Sequence, residues 1–166
     1  MPEVDQSTRI VRAKEEDAAG ICRAHKASIG VLCAGHYTPQ EIEGWIGNRK
    51  PEDYLPGLRD NLVLVAVARG RIAGFAEMQM IDGLIRALYV HPGHVRSGIG
   101  STLLSCVENE ARQAGRTGVR LNATLNSVSF YLNRGYTLQS EGTNTTRTGV
   151  SLPCVYMKKS LEPATD

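Results

Sequence analysis

A chain of 166 residues is the usual size of a single domain and is long enough to bury a sizeable core. Its 19 Lys and Arg stand against 17 Asp and Glu, and a net charge of +2 is too small to argue for a nucleic-acid or membrane partner. The longest apolar run, Asn61 to Ala68, is far short of a membrane span, and the first ten residues lack the apolar stretch of a signal peptide. These features set the expectation of one cytoplasmic domain over 1–166, with frayed ends at 1–6 and 162–166. Cys22, Cys33, Cys106 and Cys154 lack paired spacing, so free buried thiols and no metal site are expected.

Ser7 to Ala13 alternates well enough for a first strand, and Ala18, Ile21, Cys22, His25 and Ile29 then recur at helical spacing. Thr38, followed by Pro39 and by Glu41 three residues on, carries the N-cap, first-turn proline and capping box of a second helix. Prolines at 51 and 56 break the next segment into a short helix or a loop. From Asn61 to Met80 two β-rich stretches flank Gly70 as a hairpin, and Gly83 to Val90 supplies a further strand. Ile99, Leu103, Val107, Ala111 and Ala114 fall on one helical face, Glu108, Glu110 and Arg112 point elsewhere, and Gly115 ends the helix. A strand from Gly118, a short helix ending at Gly135, and two final strands separated by the polar loop 141–149 complete the chain.

Gly98 and Gly100 sit where a helix should start, although each glycine inside a helix costs ~1 kcal/mol relative to alanine. With Val90 ending a strand and Ile99 in the first helical turn, the amides from about Arg96 to Ser101 converge at the positive end of the helix dipole. That arrangement is an anion site, and Arg96 adds a cation. A tight turn with close helix packing would give the same string. No lysine follows for a Walker loop, and the third glycine of a dinucleotide fingerprint is missing.

The stretch Leu88 to Leu104, LYVHPGHVRSGIGSTLL, resembles the acyl-CoA-binding signature of the GNAT superfamily of N-acetyltransferases, and NSVSFYLNRGY from Asn126 to Tyr136 is similar to a second signature of that family. The resemblance implies a mixed, mostly antiparallel α/β (α+β) sheet flanked by helices, with acetyl-CoA as acyl donor between splayed strands. It further implies that Leu88, Tyr89 and Val90 offer backbone groups to pantetheine. Arg96, Ser97, Gly98, Ile99, Gly100 and Ser101 would cradle the diphosphate, Asn126 would touch the thioester region, and Tyr131 would serve as general acid. The segment with His36, Tyr37 and Trp45 would form the acceptor pocket for a small-molecule or peptide amine.

Three departures from the family pattern stand out: Val95 replaces the usual Gln or Arg, Arg86 lies where relatives often carry an acid, and Asn122 stands near another such position. Glu77 is then the expected base, being the best-placed carboxylate on an inner strand. Phe130 is expected to enter the core while Tyr131 faces the site, although both read equally as core aromatics. His91 and His94 read as surface histidines. The competing function is a CoA-binding sensor or interaction module without turnover. A homodimer is left open.

Overall fold

Seven strands form one sheet: β1 (Arg9–Arg12), β2 (Leu62–Ala68), β3 (Arg71–Gln79), β4 (Leu84–Val90), β5 (Gly118–Ala123), β6 (Thr137–Thr145) and β7 (Ser151–Ser160), in the order β1-β2-β3-β4-β5-β7-β6. This computed structural model describes residues 7–163; segments 1–6 and 164–166, which hold most of the expected frayed ends, lie outside the described residues. All neighbours are antiparallel except β4 and β5. The expected mixed, mostly antiparallel sheet is therefore present.

Pleating assigns each face of the sheet a helix. Along β2, Val63 and Val65 pack with Ile21 and Cys22 of α1 (Ala18–Leu32), while Leu64 and Ala66 pack with Leu103 and Val107 of α4 (Ile99–Gln113). The strand is buried almost throughout because both of its faces are covered. Thr38 caps α2 (Pro39–Ile42) in the expected box, its hydroxyl accepting from Glu41 N and the Glu41 carboxylate accepting from Thr38 N. A single π turn, Glu43–Gly47, continues that helix and buries Trp45 and Ile46. The proline-broken segment folds as a 3₁₀ turn (Pro51–Tyr54) running into α3 (Leu55–Asp60).

Two expectations are corrected. Glu108 does not point away from the core: it is 5% exposed, accepts from Tyr136 Oη at 2.8 Å and pairs with Lys159 Nζ at 2.9 Å. A buried carboxylate survives because both partners satisfy it. The polar segment 141–149 is not wholly a loop either, since β6 runs on to Thr145 in register with Ser151. Tyr156 braces this stretch by donating to Thr143 O (2.8 Å) and accepting from Thr143 N (3.2 Å). The four cysteines are free; Cys22, Cys33 and Cys154 are buried and Cys106 is half-buried. Among the described residues, no helix is long and apolar enough to cross a membrane.

Candidate active site

The two glycines before α4 do different work. Gly98 precedes the helix with φ +83°, and Arg96 also takes the left-handed conformation at φ +63°. A side chain at 98 would be strained, so the turn itself calls for glycine. The first intrahelical bond runs from Thr102 N to Gly98 O (3.0 Å), which leaves the amides of 99–101 outside the ladder at the positive helix end. Gly100 has no such backbone need. A Cβ there would sit 3.4 Å from Phe130 Cε2 and 3.6 Å from Val90 Cγ2, ordinary contact distances. What the missing side chain keeps open is a cavity of about 400 Å³ lined by Val90, Arg96, Gly98, Ile99, Gly100, Ser101, Phe130 and Arg134, among others.

Arg134 is a site residue that the sequence reading missed. It donates from Nε to Ser101 Oγ (3.0 Å) and from Nη1 to Phe130 O (2.9 Å), and its guanidinium lies 3.7 Å from the centre of the Phe130 ring. Its spacing of four residues from Phe130 on a helical turn was the available signal. Ser97 fixes the loop by donating from Oγ to His94 O. His91 accepts from Gly93 N at 3.0 Å, while His94 lies on the rim of this cavity.

Strands β4 and β5 pair at only two positions, Leu84 with Arg120 and Ile85 with Leu121, and then part. His91 N donates to Ala73 O on β3 at 2.8 Å. By the two-residue alternation of an antiparallel ladder, the Tyr89 amide also faces β3 while those of Leu88 and Val90 face the gap. A second cavity of about 190 Å³ occupies that gap, with Cys33, Leu88, Tyr89, Val90, Asn126 and Tyr131 in its lining. Asn126 Oδ1 lies 3.5 Å from Cys33 Sγ, whose thiol burial pushes up to about 11, against the opposing effect of that bond.

The two rings of α5 (Val128–Leu132) depart from expectation. Tyr131 is 5% exposed within the main core and still reaches the gap, whereas Phe130 is half-buried and walls the first and second cavities. The helical offset separates them as expected, but Phe130 packs on the core only in part and turns its other side to the groove, where the Arg134 guanidinium covers it. Burial raises the Tyr131 phenol above its ordinary range, and Arg134 opposes the shift.

A third cavity of about 160 Å³ opens beyond Tyr89, between Tyr37, Trp45, Arg86, Asn122, Asn144 and Cys154. Tyr37 is pinned there, its hydroxyl donating to Pro153 O (2.7 Å) and accepting from Leu125 N (3.1 Å), with Trp45 edge-on at 5.4 Å. Of the expected acceptor residues, Tyr37 and Trp45 are brought together. His36 is exposed and outside this lining, because adjacent residues in the turn face opposite ways. Glu77 is likewise not brought to the lining. Its carboxylate accepts from Asn61 Nδ2 at 3.1 Å and lies 3.5 Å from Arg86 Nε.

Residues 33–161 match the Acetyltransferase (GNAT) domain family. The chain belongs to the GNAT acetyltransferase family. Its fold is similar to that of a GCN5-related N-acetyltransferase from Rhodopseudomonas palustris, at 30% identity over 94% of this chain and 97% of that one, with a TM-score of 0.87. The PaiA N-acetyltransferase of Thermoplasma acidophilum, solved in complex with coenzyme A, is 27% identical over 93% of this chain and 99% of that one, with a TM-score of 0.78. YncA of Salmonella typhimurium, solved with acetyl-CoA, shares the GNAT fold at 22% identity, 96% coverage of both chains and a TM-score of 0.67. No curated protein sequence matches this GNAT chain significantly.

Proposed function

We propose that this protein transfers the acetyl group of acetyl-CoA directly to the nitrogen of a small amine. One observation carries the reading: the three cavities lie in series, the first and second sharing Val90, Gly100 and Phe130, the second and third sharing Tyr89 and Thr124. The diphosphate of CoA would rest on the amides of 99–101, with Arg96 and Arg134 as counter-charges. Pantetheine would run along the open edge of β4, where the amides of Leu88 and Val90 face the gap.

The neutral amine attacks the thioester carbonyl carbon from the third cavity. The Val90 amide, free of the β3 ladder, donates to the oxygen as it gains negative charge. The C–S bond breaks, and Tyr131 donates its proton to the departing sulfur. The new amide loses its extra proton to solvent, since among the described residues no carboxylate lines the cavity, and solvent returns a proton to the Tyr131 phenolate. The products are CoA thiol and the N-acetylated amine.

Mass spectrometry of acetylated product and released CoA, over a panel of small amines, tests the transfer itself. Gly100→Val tests the cradle: because a Cβ is tolerated by the protein, the variant should fold, and its valine methyls should raise the CoA dissociation constant by about tenfold or more. Unchanged CoA affinity in a folded Gly100→Val protein would remove the diphosphate from this loop. Gly98 is the poorer probe, since a side chain there strains the turn whatever binds.

A further inference from the structure

The third cavity has an unusual electrostatic make-up for a pocket that would receive an amine. Arg86 is the ionised side chain in its lining, and no carboxylate joins it. Arg86 owes its place to a β-bulge: Ile85 faces Met78 and Ala87 faces Glu77, so Arg86 is the extra residue of β4. A bulge re-aims its side chain and interrupts the ladder. The ion pair with Glu77 is a loose one at 3.5 Å through Nε, and among the described residues the guanidinium makes no hydrogen bond. Asn122 and Asn144, whose side-chain amides also make no hydrogen bond among the described residues, share the same cavity.

The neighbouring acids stand outside the cavity lining, Glu77 as the loose partner of Arg86 at 3.5 Å. Glu77 accepts from Asn61, and Glu41 is closed into its helix cap on Thr38 N at 2.8 Å. Arg49, whose charge reaches Tyr89, adds a further cation, and its buried Nε has no hydrogen-bond partner among the described residues. A polycationic amine entering here would meet the Arg86 guanidinium and, among the described residues, no carboxylate in the lining. A carboxylate would meet a planar fork of donors suited to two parallel hydrogen bonds. The aromatic walls of Trp45 and Tyr89 leave room for a compact apolar body, and about 160 Å³ is below the usual size of a drug-sized pocket.

We propose that the acceptor is a small, amino-acid-like amine whose carboxylate is bound by Arg86. The proposal rests on the acetyl-transfer reading above and specifies the substrate of the same site. Arg86 acts in it as a specificity determinant, with the two asparagine amides as secondary donors.

Initial rates with acetyl-CoA should be measured for matched pairs of free amino acids and their carboxamides, with aliphatic, aromatic and acidic side chains, alongside spermidine and a neutral tripeptide. At least one free acid should exceed its own amide by tenfold or more in kcat/KM and should also exceed spermidine and the tripeptide. Arg86→Gln should erase that preference mainly through KM, and Arg86→Lys should restore part of it. A merely structural arginine would instead depress acid and amide alike. Equal use of acid and amide in every pair, or a preference for spermidine or the tripeptide, overturns the carboxylate proposal while leaving acetyl transfer intact. If no amine in the panel yields acetylated product, acetyl transfer to small amines and this proposal fall together.

Discussion

Tyr131→Phe should lower turnover by roughly 10²- to 10⁴-fold while leaving CoA affinity nearly unchanged, the pattern of losing a general acid rather than a binding contact. The substitution is close to a deletion of one oxygen. The ring sits edge-on to Phe130 at 5.1 Å and to Tyr136 at 5.3 Å, and phenylalanine keeps both contacts. Desolvation raises the phenol above its ordinary value of about 10, so the group stays protonated across the neutral range and has its proton to give. It follows that an alkaline fall in wild-type kcat below about pH 10 should not originate at Tyr131. Single-turnover rates separate chemistry from product release, and wild-type rates in Tyr131→Phe would assign the proton to water.

Acid should destabilise the fold through His25. The ring is 4% exposed, with centroids of Tyr89 at 4.4 Å and Phe75 at 5.4 Å, and its Nδ1 lies 2.7 Å from Tyr54 Oη while Nε2 has no hydrogen-bond partner among the described residues. Burial, reinforced by the charge of Arg49, lowers its pKa from 6.5 to about 3. Between those values the unfolded chain binds a proton that the folded protein refuses. Stability from this residue is therefore complete above pH 6.5 and is lost as the pH falls toward about 3. At about 1.4 kcal/mol per pH unit, the loss reaches roughly 3 kcal/mol by pH 4. His25→Phe keeps a ring in the same packing and removes the titration. The difference in urea stability between wild type and variant should shift by that amount between pH 7 and pH 4, and a constant difference would show that His25 does not sense the pH.

Local chemistry was legible and long-range pairing was not. The capping box at Thr38 and the glycine turn before α4 involve residues within a few positions of one another, and both stand where the sequence places them. The burial of Glu108 depends on Tyr136, 28 residues away, and Lys159, 51 residues away. A helical wheel sees neither. The extension of β6 was hidden because an edge strand exposed on both faces shows no alternation of apolar residues. Around the cavities, the glycine turn was readable as backbone chemistry, and Tyr37 and Trp45, named together, do line one cavity. Arg134 and the position of Glu77 required packing: one is ordered by Ser101 and Phe130, the other by Asn61 and Arg86.

The parting of β4 from β5 also divides the sheet mechanically. Two residue pairs join a four-stranded half, β1 to β4, to a three-stranded half, β5 to β7. Helix α4 rests on the first half, yet Glu108 on α4 is held by Tyr136 and Lys159 of the second, and Ser101 is held by Arg134. The two halves are thus fastened on one face by α4 and elsewhere by Tyr37, whose hydroxyl bonds Pro153 O and Leu125 N, while the amides of Leu88 and Val90 at the unzipped seam should exchange hydrogen faster than that of Tyr89 in the ladder. A pantetheine arm laid along that seam would tie it together where the strands do not. On the proposed reading, donor binding would stiffen the protein across its full width, and the acceptor should bind more tightly after the acyl donor than before it.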